Sequence, residues 1–262
     1  MRIIVCIKQV PDTTEIRIDP VKGTLMRDGV PSILNPDDLN AMEAALSIKD
    51  QWPEITVSVM TMGPPQASYA LRECLAMGAD DAYLLSSRAF GGADTCATST
   101  TIAAGIRHLG DYMLIFAGRQ AIDGDTAQVG PQIAQRLGLP IATYVQYVRE
   151  VHHDRVVVER QLEDGYEILV VQRPCVLTAV KELNKPRYMT LKGIEDAYKK
   201  PITVWDENDI GLTPEQCGSA ASPTKVMRSF TPPPKGKGVM LEGTVADMSH
   251  TLVEELRKKH II

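Results

Sequence analysis

The sequence lacks a cysteine pair at C-x-x-C spacing, and its five cysteines (Cys6, Cys74, Cys96, Cys175, Cys217) are odd in number. That argues against a disulfide framework and reads as a reduced, cytoplasmic protein. Long apolar runs are missing too. The run at residues 3–7 stops at Lys8, short of the ~7–15 residues of a secretory core and the ~20 of a membrane span. No membrane insertion is expected. Basic charge is not in excess, because 28 Lys plus Arg stand against 33 Asp plus Glu, for a formal charge of −5. A general nucleic-acid binder needs a basic footprint, so that class is set aside.

Familiar catalytic signatures are also absent. There is no G-x-S-x-G elbow and no phosphate loop ending in G-K-[ST]. Gly236-Lys237-Gly238 lacks the third glycine of a dinucleotide fingerprint, and the five histidines show no metal spacing. His152-His153 reads as a solvent-facing pair near a strand turn, and His108 as a partner for a helix C-terminus. Cys74 and Cys175 sit in apolar patterns and read as core. What remains is a protein that holds a cofactor and leaves the chemistry to it.

What is present is a packed α/β pattern. Hydrophobic residues make up 44% and charged residues 23% of 262 residues, enough for a sizeable core. Short apolar runs at residues 3–7, 55–62, 81–85 and 112–116 read as strands buried on both faces. Between them lie helical patterns at 36–49, 65–77, about 94–109 and about 125–137. Asn35 and Pro36 suit the start of the first, while Gly78, Gly110 and Gly138 suit the ends of the others. The expected fold class is α/β, an open and mainly parallel sheet of the adenine-nucleotide-binding type with helices on both faces. A small hairpin, residues 15–18 and 24–27 around Lys22-Gly23, reads as an insertion after the first strand.

From residue 141 the period changes. Residues 143–149, 155–162, 167–172 and 175–180 read as strands, with Asp164-Gly165 as a tight turn. This is an added strand-rich segment. Residues 1–200 are expected to form the nucleotide-binding domain. Residues 201–240 carry six prolines and little periodicity, and read as an extended arm. The arm leads to a helix at 244–259 with a stripe of Val245, Met248, Leu252 and Leu256. Residues 201–262 are therefore read as an arm and helix that dock on a partner subunit, with packing on its own domain as the alternative.

The strongest local signal is Gly118-Arg119-Gln120-Ala121-Ile122-Asp123-Gly124-Asp125-Thr126-Ala127-Gln128. It follows a strand and opens a helix. A helix N-terminus offers unpaired N–H groups and about half a positive charge to an anion. Gly118 and Gly124 permit close approach and left-handed backbone. Thr126 and Gln128 add polar groups and Arg119 adds charge. Asp123 and Asp125 read as a loop clamp and a helix cap, with ribose contact open. The alternative is an ordinary strand–helix turn. Asn35-Pro36-Asp37-Asp38, Met62-Gly63-Pro64 and Gly91-Gly92-Ala93-Asp94-Thr95 belong at the same carboxyl edge of a parallel sheet, where ligands lie.

Read together, these segments resemble the β subunit of electron transfer flavoproteins over nearly the whole chain. Val5-Cys6-Ile7-Lys8-Gln9-Val10-Pro11-Asp12, Ala76-Met77-Gly78-Ala79-Asp80, Val158-Glu159-Arg160-Gln161-Leu162-Glu163-Asp164-Gly165 and Leu183-Asn184-Lys185-Pro186-Arg187-Tyr188 carry the match with the segments above. The resemblance implies a heterodimer with an FAD-carrying α subunit. By it, nucleotide contacts map to Cys6, Asn35, Asp38, Met62 and the Gly118–Val129 stretch: Gly118, Arg119, Gln120, Asp123, Gly124, Asp125, Thr126, Gln128 and Val129. Leu183, Asn184, Pro186, Arg187, Tyr188 and Leu191 map to a loop, about residues 183–195, that docks on a dehydrogenase. Gly124 with Thr126-Ala127, and the motif holding Asp94, Thr95 and Thr98, are similar to the electron-bifurcating and nitrogen-fixation-related branch. That branch implies FAD in this subunit, NADH as electron donor, an acyl-CoA dehydrogenase-like or other flavin dehydrogenase as partner, and ferredoxin or flavodoxin as low-potential acceptor. The alternatives are a plain member with structural AMP and a stand-alone adenine-nucleotide-binding protein.

Overall fold

The computed structural model describes residues 1–12, 31–227 and 236–262. The expected hairpin at 15–18 and 24–27 and the triple proline at 232–234 lie outside the described residues. The chain divides into two units, the first holding the described residues up to 227 and the second holding 236–262.

In chain order the first half contains β1 (Arg2–Cys6), β2 (Gln9–Pro11), β3 (Ser32–Leu34), α1 (Pro36–Gln51) and β4 (Thr56–Met62). Then come α2 (Ser68–Met77), β5 (Asp81–Leu85), α3 (Thr95–Leu109), β6 (Leu114–Gly118) and α4 (Val129–Leu137). The second half holds β7 (Ile141–Val151), β8 (Arg155–Leu162), β9 (Gly165–Gln172) and β10 (Cys175–Ala179). It ends with α5 (Leu191–Ala197), β11 (Ile202–Trp205), α6 (Gly218–Ala221) and α7 (Val245–Lys258).

Nine strands form one sheet in the order β11-β5-β4-β1-β6-β10-β7-β8-β9. Every pair from β11 to β7 is parallel, and β7, β8 and β9 form an antiparallel meander. β2 and β3 pair with each other outside it, with Val10 opposite Ile33. The inner parallel strands β4, β1, β6 and β10 are buried on both faces, so their side chains divide between two cores. Ile3, Val5 and Ile7 pack with Met42 and Leu46 of α1 and Leu71 and Leu75 of α2. Ile4 and Cys6 pack with Ile102 and Ile106 of α3 and Ile133 of α4. The strand period of two thus assigns each helix pair its face.

The added strand segment is not a simple meander. β10 leaves β9 and inserts between β6 and β7. Its five residues are all buried, whereas Tyr166, Ile168 and Val170 of β9 are exposed. A run apolar at every position belongs inside a parallel sheet, and an alternating one belongs at an edge.

The boundary expected at residue 200 moves. Residues 202–205, read as arm, form β11 and pair with β5. Trp205 lies 4.7 Å from the Tyr83 ring and meets His108 edge-on at 4.7 Å. His108 therefore packs on an aromatic edge as well as closing α3. Cys217 and Ile210 belong to the core beneath α3, so the first unit runs on to Met227. The proline count masked a four-residue β-branched and aromatic strand. α7 begins with Thr244, whose hydroxyl accepts from the Asp247 N–H while the Asp247 carboxylate accepts from the Thr244 N–H. None of the α7 residues is buried.

The loop expected to dock on a dehydrogenase is anchored at its base. Leu183 is buried and belongs to the core. Asn184 and Asn40 exchange hydrogen bonds, Nδ2 of Asn184 donating to the Asn40 carbonyl at 2.9 Å. Arg187 binds Glu43 at 2.8 Å and Asp50 at 2.7 Å. Pro186 is partly buried, and Tyr188 and Leu191 are 90% and 88% exposed. Burial pushes the Glu43 carboxyl up, but hydrogen bonds from Arg187 outweigh it and leave the group below its ordinary value.

Arg187→Ala is expected to cost about 1–3 kcal/mol in urea unfolding, because Glu43 loses its main partner while still buried. A depressed carboxyl contributes stability above its unfolded pKa and loses it as pH falls. The penalty is therefore expected to shrink toward acid pH. An unchanged urea midpoint at pH 7 would show that this contact does not anchor the loop.

Candidate functional site

β1 leads through α1 to β4 on one side, whereas β6 leads through α4 to the other, so the sheet order reverses between β1 and β6. A reversal opens a crevice at the carboxyl ends of the strands. Here it holds a cavity of about 930 Å³.

The crevice is stapled by Asp38. One carboxylate oxygen accepts from the Lys8 N–H at 2.8 Å and the other from the Gly118 N–H at 2.8 Å. α1 thereby closes two backbone groups that the parted strands leave without ladder partners. Gly118 is required by this approach, since a Cβ there would lie 2.3 Å from the Asp38 Oδ1. Burial pushes the Asp38 carboxyl up to about 7, with the two N–H donors and Asn35 pulling the other way.

Asn35 precedes α1, but its side chain does not cap that helix. Its Nδ2 donates to the Gln120 carbonyl at 2.9 Å and its Oδ1 accepts from the Ile122 N–H at 3.1 Å. Lys8 Nζ binds Asp123 at 2.6 Å. These contacts hang the loop after β6 over the crevice. They bear out the clamp reading of Asp123, whose side chain is consumed by Lys8.

The loop departs from expectation in three ways. α4 begins at Val129, after Gln128, so residues 125–128 precede the helix. Asp125 does not cap it and instead accepts from Gln120 Nε2 at 2.9 Å. The left-handed residues are Asp125 (φ 47°) and Ala127 (φ 51°), and neither Gly118 nor Gly124 adopts that conformation. Gly124 has nothing within 4 Å of a Cβ position. Its smallness leaves space instead of relieving strain.

Cys6, Asn35, Asp38, Met62, Asp94, Thr95 and Thr98 all line the cavity. So do Gly118, Arg119, Gln120, Gly124, Asp125, Thr126, Gln128 and Val129. Asp123 does not, and acts through Lys8. Several groups are already engaged. The Asp94 carboxylate caps α3 by accepting from the Ala97 N–H at 2.9 Å and also accepts from the Thr224 N–H at 3.0 Å. The Thr95 hydroxyl donates to Gln128 Oε1 at 3.0 Å, joining the starts of α3 and α4. Burial raises the Cys6 thiol to about 12, so it is a wall atom and not a nucleophile. Sequence reasoning missed Lys8, Gln9, Ser86, Ser87 and Arg88, which also line the cavity. Lys8 lay within a quoted motif, but Arg88 stood in no periodic pattern.

This is a cleft with glycine-backed walls, two helix N-termini and acids turned into the walls. Comparison with known proteins decides its family. Residues 22–210 match the model of the electron transfer flavoprotein domain. The chain belongs to the electron transfer flavoprotein family. It is 64% identical over 263 residues to the caffeyl-CoA reductase-Etf complex subunit CarD of Acetobacterium woodii, covering 100% of both chains. It is 55% identical to the electron transfer flavoprotein subunit beta of Clostridium acetobutylicum, again over 100% of each. It is 47% identical to the protein FixA of Azotobacter vinelandii, over 90% of this chain and 86% of that one. The chain is thus a β-type subunit of electron transfer complexes. No helix among the described residues is long and apolar enough to cross a membrane.

The Asp38 staple predicts a pH dependence. A carboxyl raised on folding makes the folded state hold its proton more tightly than the unfolded chain, so its contribution to stability falls as pH rises from about 4 to about 7. The stability difference between the wild type and Asp38→Asn is expected to narrow across that window in urea titrations. A difference independent of pH would remove Asp38 as the titrating group.

Proposed function

We propose that this subunit binds FAD in the crevice, takes electrons from NADH, and divides them between two routes. One runs to the FAD of an α subunit and a flavin dehydrogenase partner, the other to ferredoxin or flavodoxin. The carrying observation is the cavity of about 930 Å³, near the upper end of the roughly 300–1,000 Å³ of ligand sites. Gly124 lines it, and a Cβ there would meet nothing within 4 Å. An adenylate alone needs less room than this.

The residues fit such a group. Backbone N–H groups at the starts of α3 and α4 and the Thr98 and Thr126 hydroxyls suit a diphosphate. Of the acids at the crevice, Asp38 and Asp94 accept from backbone N–H groups, Asp123 pairs with Lys8, and Asp125 accepts from Gln120 Nε2. When bound, a flavin supplies hydride acceptance and one-electron release. The chain's part is to hold it, orient it and keep the walls dry.

The relative in Acetobacterium carries a reductase-Etf complex in its name, which supports a CoA-ester dehydrogenase-type partner here. Tyr188 and Leu191, exposed on an anchored loop, are the contacts proposed for that partner.

Acid release of nucleotide from the purified complex, identified by mass, tests the cofactor. FAD exceeding one per heterodimer is the expected result, and AMP with a single FAD would overturn it. Gly124→Val is expected to weaken nucleotide retention about tenfold or more while unfolding stability stays within about 0.5 kcal/mol, as for sites without packing. Retention equal to wild type would move the ligand away from this loop. Leu191→Ala is expected to slow electron delivery to the dehydrogenase by about five- to a hundredfold, as at interface hot spots, with flavin content intact. Unchanged delivery would place the interface elsewhere.

A further inference from the structure

Arg119 lines the cavity, but neither Asp37 nor Tyr144, the two residues beside its guanidinium, does. Its Nε faces the Asp37 Oδ2 at 3.5 Å. Its guanidinium carbon lies 5.7 Å from the centre of the Tyr144 ring. Asp37 is in the first turn of α1 and Tyr144 is on β7, and neither lines the cavity. Among the described residues, no hydrogen bond engages the two terminal nitrogens of Arg119.

Tyr144 occupies an unusual backbone position. Ala142 pairs with Leu177 and Val145 with Ala179, so Thr143 and Tyr144 together oppose Thr178 in a bulge. Tyr144 has φ 57°, and its N–H donates to the Thr178 hydroxyl at 3.1 Å. A left-handed bulge position is ordinarily glycine, because other side chains are strained there. A bulky residue kept in such a place is a pointer to a task for its side chain. The residue is 36% exposed, so core packing is not that task. What it covers is the Arg119 guanidinium.

We propose that Tyr144 is a positioning residue for Arg119. Its ring sets the plane of the guanidinium, with the Asp37 carboxylate as an ionic neighbour 3.5 Å from Nε, leaving the terminal fork for an anion of the ligand in the crevice. Arginine acts as a planar fork, so fixing its plane sets which oxygens it can pair with. The bulge is the device that turns the Tyr144 ring toward Arg119. This inference rests on the reading of the crevice as a nucleotide site.

The test uses the full chain in its purified complex, stripped of nucleotide and titrated with ADP and with FAD by calorimetry. Tyr144→Gly is expected to weaken both about three- to tenfold, within the range of a cation–π contact, while the melting temperature holds or rises because glycine accepts the backbone. Tyr144→Phe keeps the ring and is expected to bind like wild type. Arg119→Ala is expected to weaken binding about tenfold, and adding Tyr144→Gly to it is expected to change nothing more. Tyr144→Asn, which tolerates the same φ, serves if the glycine variant folds poorly. Wild-type affinity in Tyr144→Gly, or losses that add in the double variant, would overturn the proposal while leaving the nucleotide reading intact. Failure of the wild type to bind either probe would overturn both.

Discussion

The Asp38 carboxylate is the interaction on which the site depends. Where β1 and β6 part at the reversal of the sheet, their next N–H groups have no strand to donate to. Asp38 accepts both, at 2.8 Å each, from the first turn of α1. This fixes the spacing of two strand ends and seats α1 against the sheet in one act. It also forces glycine at 118, because the carboxylate lies where a Cβ would be. An unpaired buried donor is costly to leave, so few other residue types could close this gap.

The same logic runs around the cavity wall. Groups that would hinder an anion are bonded to neighbours: Asp123 to Lys8 and Asp94 to the backbone of α3. Contacts made before any ligand arrives would lower the ordering cost of binding. The space beyond Gly124 is left clear.

Farther out, the fold separates anchoring from display. Arg187, Asn184 and Leu183 fasten a loop to α1, and that fastening lets Tyr188 and Leu191 stand exposed without the loop being loose. Residues that look alike in a motif thus divide into those that hold and those that are offered. Burial divides them, since Leu183 and Leu191 are the same residue type with opposite exposure.

The sequence by itself determined the alternation of buried strands and amphipathic helices, the crevice edge and the loop after β6. Those follow from local period and from glycine and capping residues, which act over a few positions. Residues 81–85 and 155–162 are strands with the bounds their patterns set. The tertiary structure alone decided what distance in sequence conceals. It placed β10 inside the sheet and β11 at its edge. It turned Asn35 from a cap into a tether for a loop 85 residues away. It gave left-handed backbone to Asp125 and Tyr144 and withheld it from Gly124. Each depends on which strand ends meet in space, and a single strand's period carries no record of its neighbour.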